Sequence, residues 1–374
     1  MGIYIHIPYC RRACVYCDFH FLTSLRGKAA MVQALAQELV LRSRDHAAAL
    51  ETLYLGGGTP SILAPDELAR LFDTVRAHYA LAPQIECTLE ANPDDLTPPY
   101  LDQLLDLGVN RLSIGVQSFE QEDLLRMNRS HSAAQALACI DAARAAGFAN
   151  LSIDLIFGLP ARSPADWEAN LRQAIDLAPA HLSVYALTVE PRTALAHQVR
   201  KGEMRIPPDE TYEAQFLLAH DLLTAAGYEH YELSNYALPG YRSRHNSSYW
   251  SGQPYLGIGP SAHGYDGSDR YWNAAQHVPY TAALAVGSLP PGEREHLGPR
   301  ERYHEYLMTG LRTADGVLLD RLRAYLPDWD TRHHTALGTW AAQGWIHLDE
   351  TRLRLSPRGW LVSDHLIAQL FDAD

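Results

Sequence analysis

Apolar and polar positions follow two alternating rhythms through the first half of this chain. Short apolar runs read as strands, and longer stretches with apolar residues every three or four positions read as helices. The strand-like runs are 3–8, 52–55, 85–90, 111–117, 151–157 and 181–187. Helical patterns lie between them: 27–44 with Met31, Leu35, Leu39 and Val40 on one face, then 66–79, 97–108, a double segment at 121–127 and 132–146, and 163–177. Thr97 and Pro98 mark one helix start, Ser163 and Pro164 another, and Gly108 and Gly147 mark stops. Strands alternating with helices imply a parallel sheet with right-handed crossovers. The fold class expected is α/β, with a partial (β/α)6 barrel over 1–206. In such folds reactive groups gather at the C-terminal ends of strands. Those ends carry a cysteine loop, the run Gly56-Gly57-Gly58-Thr59-Pro60, Glu90, Gln117 and Asp154.

The rhythm changes after 206. A helix is expected over 210–226, followed by a stretch from Tyr228 to Tyr280 rich in Tyr, Trp, Gly, Ser and Asn. Pro290, Pro291 and Gly292 read as a linker. Residues 207–292 therefore form an aromatic-rich α+β extension. Residues 293–374 form a small winged-helix-like domain, with helices at 303–311, 318–325 and 331–343, a hairpin of 345–348 with 352–355, and a last helix over 359–370.

Composition narrows the function. The 374 residues carry a net charge of −13, and 47% are hydrophobic. From Arg300 onward there are 9 Lys or Arg against 11 Asp or Glu. No basic face is offered to nucleic acid, so the C-terminal unit is expected to pack or bind a protein. The N-terminus lacks the features of a signal peptide, and no apolar run approaches membrane-spanning length. Five cysteines with three clustered fit a reducing compartment better than a disulfide framework. Cys87 and Cys139 read as small core residues.

The clustered three are Cys10, Cys14 and Cys17, spaced C-x3-C-x2-C. Three thiolates on a four-iron cluster leave one iron open to a further ligand. Zinc with His20 as fourth ligand is the rival, but it leaves the glycine run and the strand-end polar residues without a purpose.

At this point the motifs resemble a family. Tyr4 through Cys10, Cys17-Asp18-Phe19, the glycine run, Glu90-Ala91-Asn92-Pro93, Gly115 through Phe119, Asn128-Arg129 and Asp154 through Pro160 follow the order of radical S-adenosylmethionine (SAM) proteins of the HemN/HemW group. That group holds oxygen-independent coproporphyrinogen oxidases and haem chaperones. The resemblance implies a [4Fe-4S] cluster on the three cysteines, with SAM on its open iron. It also implies SAM contacts from Tyr4, Tyr16, Gly57, Gly58, Thr59, Glu90, Gln117, Arg129, Asp154 and Ala186. Glycine suits a close backbone approach because it lacks Cβ, and Arg129 suits a carboxylate.

Two features point to the chaperone branch. Phe19 stands where the oxidases carry a further cysteine, and the chain begins at the first strand without the oxidases' N-terminal extension. A third is His245-Asn246-Ser247-Ser248-Tyr249-Trp250, which matches the H-N-x-x-Y-W pattern that the chaperones use for haem. Alone, a histidine in a polar loop reads as a surface or hydrogen-bonded residue. Within the complete motif, His245, Asn246, Tyr249 and Trp250 become the haem set, with Tyr249 and His263 as other iron ligands to weigh. The resemblance implies haem as cargo, respiratory haem proteins as acceptors, and an electron donor for the cluster. It implies a monomer or weak dimer in the cytoplasm, with peripheral contact at the inner face of the cell membrane. Coproporphyrinogen decarboxylation is the alternative activity.

Overall fold

The computed structural model describes residues 1–45 and 48–371. The chain opens with β1 (Gly2–Ile7), α1 (Lys28–Arg42), β2 (Leu50–Gly57), α2 (Pro65–His78), β3 (Leu81–Ala91) and α3 (Pro98–Asp106). It continues with β4 (Arg111–Gln117), α4 (Gln121–Arg126), α5 (Ala133–Ala146), β5 (Asn150–Phe157), α6 (Pro164–Asp176) and β6 (His181–Ala186). These six strands are parallel and adjacent in sequence order. The expected α/β core is thus present.

Side-chain parity explains why one face of this sheet is packed and the other is polar. Outward positions Ile3, Ile5, Leu53, Leu55, Leu89, Leu112, Ile114, Ile153, Leu155 and Leu182 are fully buried in the main core cluster. That cluster includes Leu35, Leu39, Leu68, Leu71, Leu101, Leu104, Ile140 and Leu171 of the helices. The opposite parity is polar: Tyr4 pairs in register with Tyr54, His6 with Gly56, and Glu90 with Ser113. Successive strand residues point to opposite faces, so one face is packed and the other is free for chemistry. Capping follows the sequence at two helices. Ser132 with Gln135 and Ser163 with Asp166 form reciprocal capping boxes. Thr97 occupies the N-cap of α3 but makes no side-chain cap bond. Cys87 and Cys139 lie in the core, each 4% exposed.

The tyrosine-rich stretch holds more regular structure than its pattern suggests. After α7 (Ala194–Arg200) and α8 (Asp209–Ala225) come β7 (Glu229–Glu232), β8 (Asn235–Ala237), α9 (Arg244–Trp250), β9 (Tyr255–Ile258), β10 (His263–Tyr265), β11 (Asp269–Asn273), α10 (His277–Ala285) and β12 (Gly292–His296). The short strands extend the barrel sheet at both edges, giving the order β12-β11-β10-β9-β1-β2-β3-β4-β5-β6-β8-β7. Each has only three to five residues, too few to display a period. They are fixed by partners far away in sequence, such as Gly2 opposite Tyr255. Two expectations are corrected here. Gly292 starts edge strand β12 against β11 and is not part of a linker. His245 lies on helix α9 and not in a loop.

The C-terminal unit contains α11 (Pro299–Gly310), β13 (Val317–Leu318), α12 (Leu319–Tyr325), α13 (Trp329–Ala342), β14 (Ile346–Leu348), β15 (Arg352–Leu355), α14 (Pro357–Trp360) and α15 (Ser363–Leu370). The single last helix expected is interrupted at Leu361 and Val362. The break lets Trp360 bury itself while its Nε1 donates to Leu311 O at 3.1 Å. No helix among the described residues is long and apolar enough to cross a membrane.

Candidate functional site

The cysteine loop runs from the end of β1 towards α1 and is tied down at both flanks. Cys10 N donates to Leu22 O at 3.0 Å, and Leu22 N to Pro8 O at 2.9 Å. Its tip is held by the barrel: Val15 N donates to Met127 O at 3.2 Å, and Asn128 Nδ2 to Ala13 O at 2.8 Å. Two side chains aim donors at sulfur. Thr59 Oγ1 and Arg129 Nη1 each approach a thiol at 3.4 Å, on Cys10 and Cys14 respectively. Burial pushes the Cys10 thiol up to about 11 and the Cys17 thiol up to about 12. Such thiols stay protonated by themselves and need a metal's positive charge to ionise.

The glycine run is a backbone cradle. Gly58 N donates to Ile7 O at 2.9 Å and Thr59 N to Tyr9 O at 2.8 Å. A Cβ on Gly58 would meet Tyr9 O at 2.6 Å, and one on Gly57 would meet the His6 ring at 2.5 Å. Gly57 also has φ +106°, a conformation that side chains rarely adopt. Gly57 N donates to Glu90 Oε2 at 3.2 Å, and Tyr54 OH donates to Oε1 at 2.8 Å. Burial lifts the Glu90 carboxyl to about 7, with these two donors opposing the shift.

Arg129 is anchored at the ends of the neighbouring strands β3 and β4. Its Nη2 donates to Asn92 Oδ1 at 2.6 Å and to Gly115 O at 2.7 Å. Gly115 leaves the room, since a Cβ there would meet Gln117 Nε2 at 2.9 Å and Arg129 Nη2 at 3.1 Å. Gln117 holds a positive φ of 68°. Its Oε1, like Arg129 Nε, is buried without a protein partner. Buried polar atoms in folded proteins are nearly always paired, so these two match a site built to take a polar ligand. Tyr16 is half-buried on the cysteine loop, and Asp154 accepts from Ser113 Oγ at 3.2 Å. Ala186 is exposed at the end of β6. Three thiols, an acid, an arginine, a glycine cradle and orphaned polar atoms on neighbouring strand ends fit an iron–sulfur cluster with SAM on it.

His20 is engaged elsewhere. Its carbonyl oxygen accepts from His6 Nε2 at 2.8 Å, and its Nε2 lies 3.0 Å from His277 Nε2. The H-N-x-x-Y-W residues divide. His245 is 1% exposed, with Nδ1 at 2.8 Å from Thr52 Oγ1 and Nε2 at 2.8 Å from Tyr249 OH. Burial, with the nearby Arg111 charge as a second cause, lowers its imidazole to about 3. Neither nitrogen is available to iron in this arrangement. The ring is a buried connector: it stacks on Tyr54 at 4.9 Å, and Tyr54 holds Glu90. Tyr249 and Trp250 line a cavity of about 980 Å³ that opens onto Tyr4 and His6 of β1, whereas Asn246 is half-buried on α9.

Comparison with known proteins places the chain in a family. The Radical SAM superfamily profile matches residues 4–174, and the HemN C-terminal domain profile matches 297–362. A heme chaperone HemW from Mycobacterium tuberculosis is 37% identical, over 99% of this chain and 94% of its own. The Bacillus subtilis protein of that name is 34% identical, over 97% of both. The chain belongs to the HemW family of radical SAM proteins. The solved coproporphyrinogen III oxidase (HemN) of Escherichia coli superposes with a TM-score of 0.85 at 24% identity, over 99% of this chain and 89% of that one. This likeness shows that the family shares the oxidase's fold.

Two residues of this site carry no motif and were not singled out from the sequence. Tyr54 has the inward parity of Tyr4 and Glu90. Arg111 is 1% exposed, with Nε and Nη1 unpaired, and its charge favours the ionised forms of Glu90 and Asp154. Parity counting along β2 and β4 is the signal that finds both.

Proposed function

We propose that this protein is a haem chaperone: it binds haem, carries a [4Fe-4S] cluster with SAM in the barrel mouth, and passes haem to respiratory haem proteins in the cytoplasm. The observation that carries the reading is similarity over nearly the whole length to proteins named heme chaperone HemW. Phe19, where the resembling oxidases have a further cysteine, supports the same branch. Cys10, Cys14 and Cys17 hold the cluster. Arg129 binds the SAM carboxylate, Glu90 its amino group, and the backbone at Gly57 to Thr59 lies against its methionine end. The cluster supplies electron transfer to SAM when both are bound. Tyr4, Tyr16, Gln117, Asp154 and Ala186 line the remainder of that site.

The test is a pair of assays on the full chain with a reconstituted cluster. Addition of haem gives a Soret band that coelutes with the protein. Coproporphyrinogen III with SAM and a reductant gives no protoporphyrinogen IX. Efficient decarboxylation without haem uptake reverses the reading.

A further inference from the structure

The cavity of about 980 Å³ lies between α9, the β9–β11 strands and the C-terminal helices α11 and α12, and it reaches the barrel interior at Tyr4 and His6 of β1 and the cysteine loop at Phe19 and His20. Pockets that enclose small ligands measure roughly 300–1,000 Å³. Its wall is charged against the trend of the chain. The whole protein is at −13, yet Arg242, Arg270, Arg302, Arg321 and Arg352 all line this space. Only two acids, Glu305 and Asp315, accompany them. A low-dielectric cleft lined by one sign of charge concentrates ligands of the other.

Pairing sorts the five arginines. Arg242 is held by Glu229 at 2.8 Å and Arg270 by Glu305 at 2.6 Å. Arg352 donates to Asp315 O at 2.9 Å. Arg302 donates from Nε to Gly298 O at 3.4 Å, but its two Nη groups make no hydrogen bond among the described residues and neither it nor Arg321 has an acidic partner there. Arg321 lies over the Tyr306 ring at 4.1 Å. Two guanidiniums in one cavity, each with its Nη groups free of protein hydrogen-bond partners among the described residues, suit a ligand bearing two carboxylates. The aromatic wall of Tyr249 and Trp250 suits a flat one.

The cavity's histidines sort in the same way. His6 Nε2 lies 2.8 Å from His20 O and its Nδ1 lies 3.2 Å from Tyr4 OH, while His20 Nε2 meets His277. His263 is different. It is exposed to the cavity and has no hydrogen bond at either ring nitrogen among the described residues. Its ring is stacked on Trp272 at 5.7 Å and 27°. An imidazole braced by a neighbouring ring, with free nitrogens, is ready to bind a metal.

Resting on the haem reading above, we propose that this cavity is the haem seat, with His263 as an axial ligand to iron and Arg302 and Arg321 paired with the two propionates. His245 is then a positioning residue that fixes Tyr249 in the cavity wall through the 2.8 Å contact between Nε2 and the hydroxyl.

The test titrates the full chain with iron(III) protoporphyrin IX, metal-free protoporphyrin IX and the iron porphyrin's dimethyl ester. His263→Ala shifts the Soret band, removes the imidazole-ligand signature in electron paramagnetic resonance and weakens the iron porphyrin about tenfold. Free imidazole restores the spectrum, and metal-free porphyrin affinity changes little. The double variant Arg302→Ala and Arg321→Ala weakens both diacids about tenfold and leaves the ester unchanged. In wild type the ester binds more weakly than the diacid, which tests the clamp without any substitution. An unchanged Soret band and affinity in His263→Ala overturns the ligand, and equal binding of ester and diacid by wild type overturns the clamp. Failure of wild type to take up haem at all defeats the chaperone reading instead. The three substituted residues are exposed, so their loss costs little stability.

Discussion

Glu90 is held in conflict: its carboxyl is buried, yet it accepts bonds from Tyr54 and from the Gly57 amide. Its folded value of about 7 stands above the ordinary 4.5. Between those values the unfolded chain has released this proton and the folded chain keeps it. Glu90 therefore lowers stability as pH rises through that window, and the full cost is present above pH 7. Glu90→Gln should accordingly raise the thermal midpoint at pH 8, by the equivalent of about 1–3 kcal/mol, and raise it less at pH 5. The same change should weaken SAM binding at least tenfold by calorimetry, because Gln cannot pair with an ammonium group. A variant less stable at pH 8 than wild type would contradict this account. The cysteines, the glycine run and Glu90 were legible from spacing and order. The engagement of both His245 nitrogens was not, because Thr52 is 193 positions away in the chain.

At the scale of elements, the extension is welded to the barrel by one buried acid. Glu38 on α1 is 0% exposed and accepts from Arg42 Nε at 2.7 Å, Asn273 Nδ2 at 2.8 Å, Gly259 N at 2.8 Å and Tyr280 OH at 2.5 Å. These donors come from α1 itself, β11, the turn after β9, and α10. A buried charge with all its lone pairs engaged is costly to disrupt from one side. Glu38→Ala should destabilise the protein by about 3–5 kcal/mol in a denaturant titration, and hydrogen exchange should rise first in α10 and β9–β11. A loss below 1 kcal/mol would refute the weld. The sequence showed α1 with one apolar face. Nothing local indicated that a glutamate on that helix is buried. Glu86 acts similarly on α9, accepting from the amides of Arg244 at 3.0 Å and His245 at 2.9 Å. It fixes a helix of seven residues that propensity alone cannot sustain.

Across the whole molecule, several histidines are buried in their neutral form. Burial lowers His6 and His131 to about 4, and His230 and His245 to about 3. Below their ordinary value of 6.5 the unfolded chain takes up protons that the folded chain refuses, so each favours unfolding as pH falls towards 4. Glu90 and Glu232, both lifted by burial to about 7, act in the opposite direction. Four groups outweigh two. The thermal midpoint of the protein should therefore fall steadily from pH 6.5 to pH 4.5, measured without SAM or haem. A flat or rising midpoint over that interval would contradict the dominance of the buried histidines over the buried carboxyls.

The chain's own order of residues determined the barrel, the cysteine loop and the strand-end set. The reason is physical: a parallel sheet repeats a local unit, each strand and helix declares itself by period, and motif residues stand at fixed offsets from strand ends. The sequence also placed His245 in the haem set, and there its reach ended. Only the tertiary structure decided that this side chain is buried between Thr52 and Tyr249, that short strands with no period of their own flank the barrel, and that His263, Arg302 and Arg321 share one cavity. Hydrogen-bond saturation and the sharing of a cavity depend on which distant segments meet, and no local pattern encodes them.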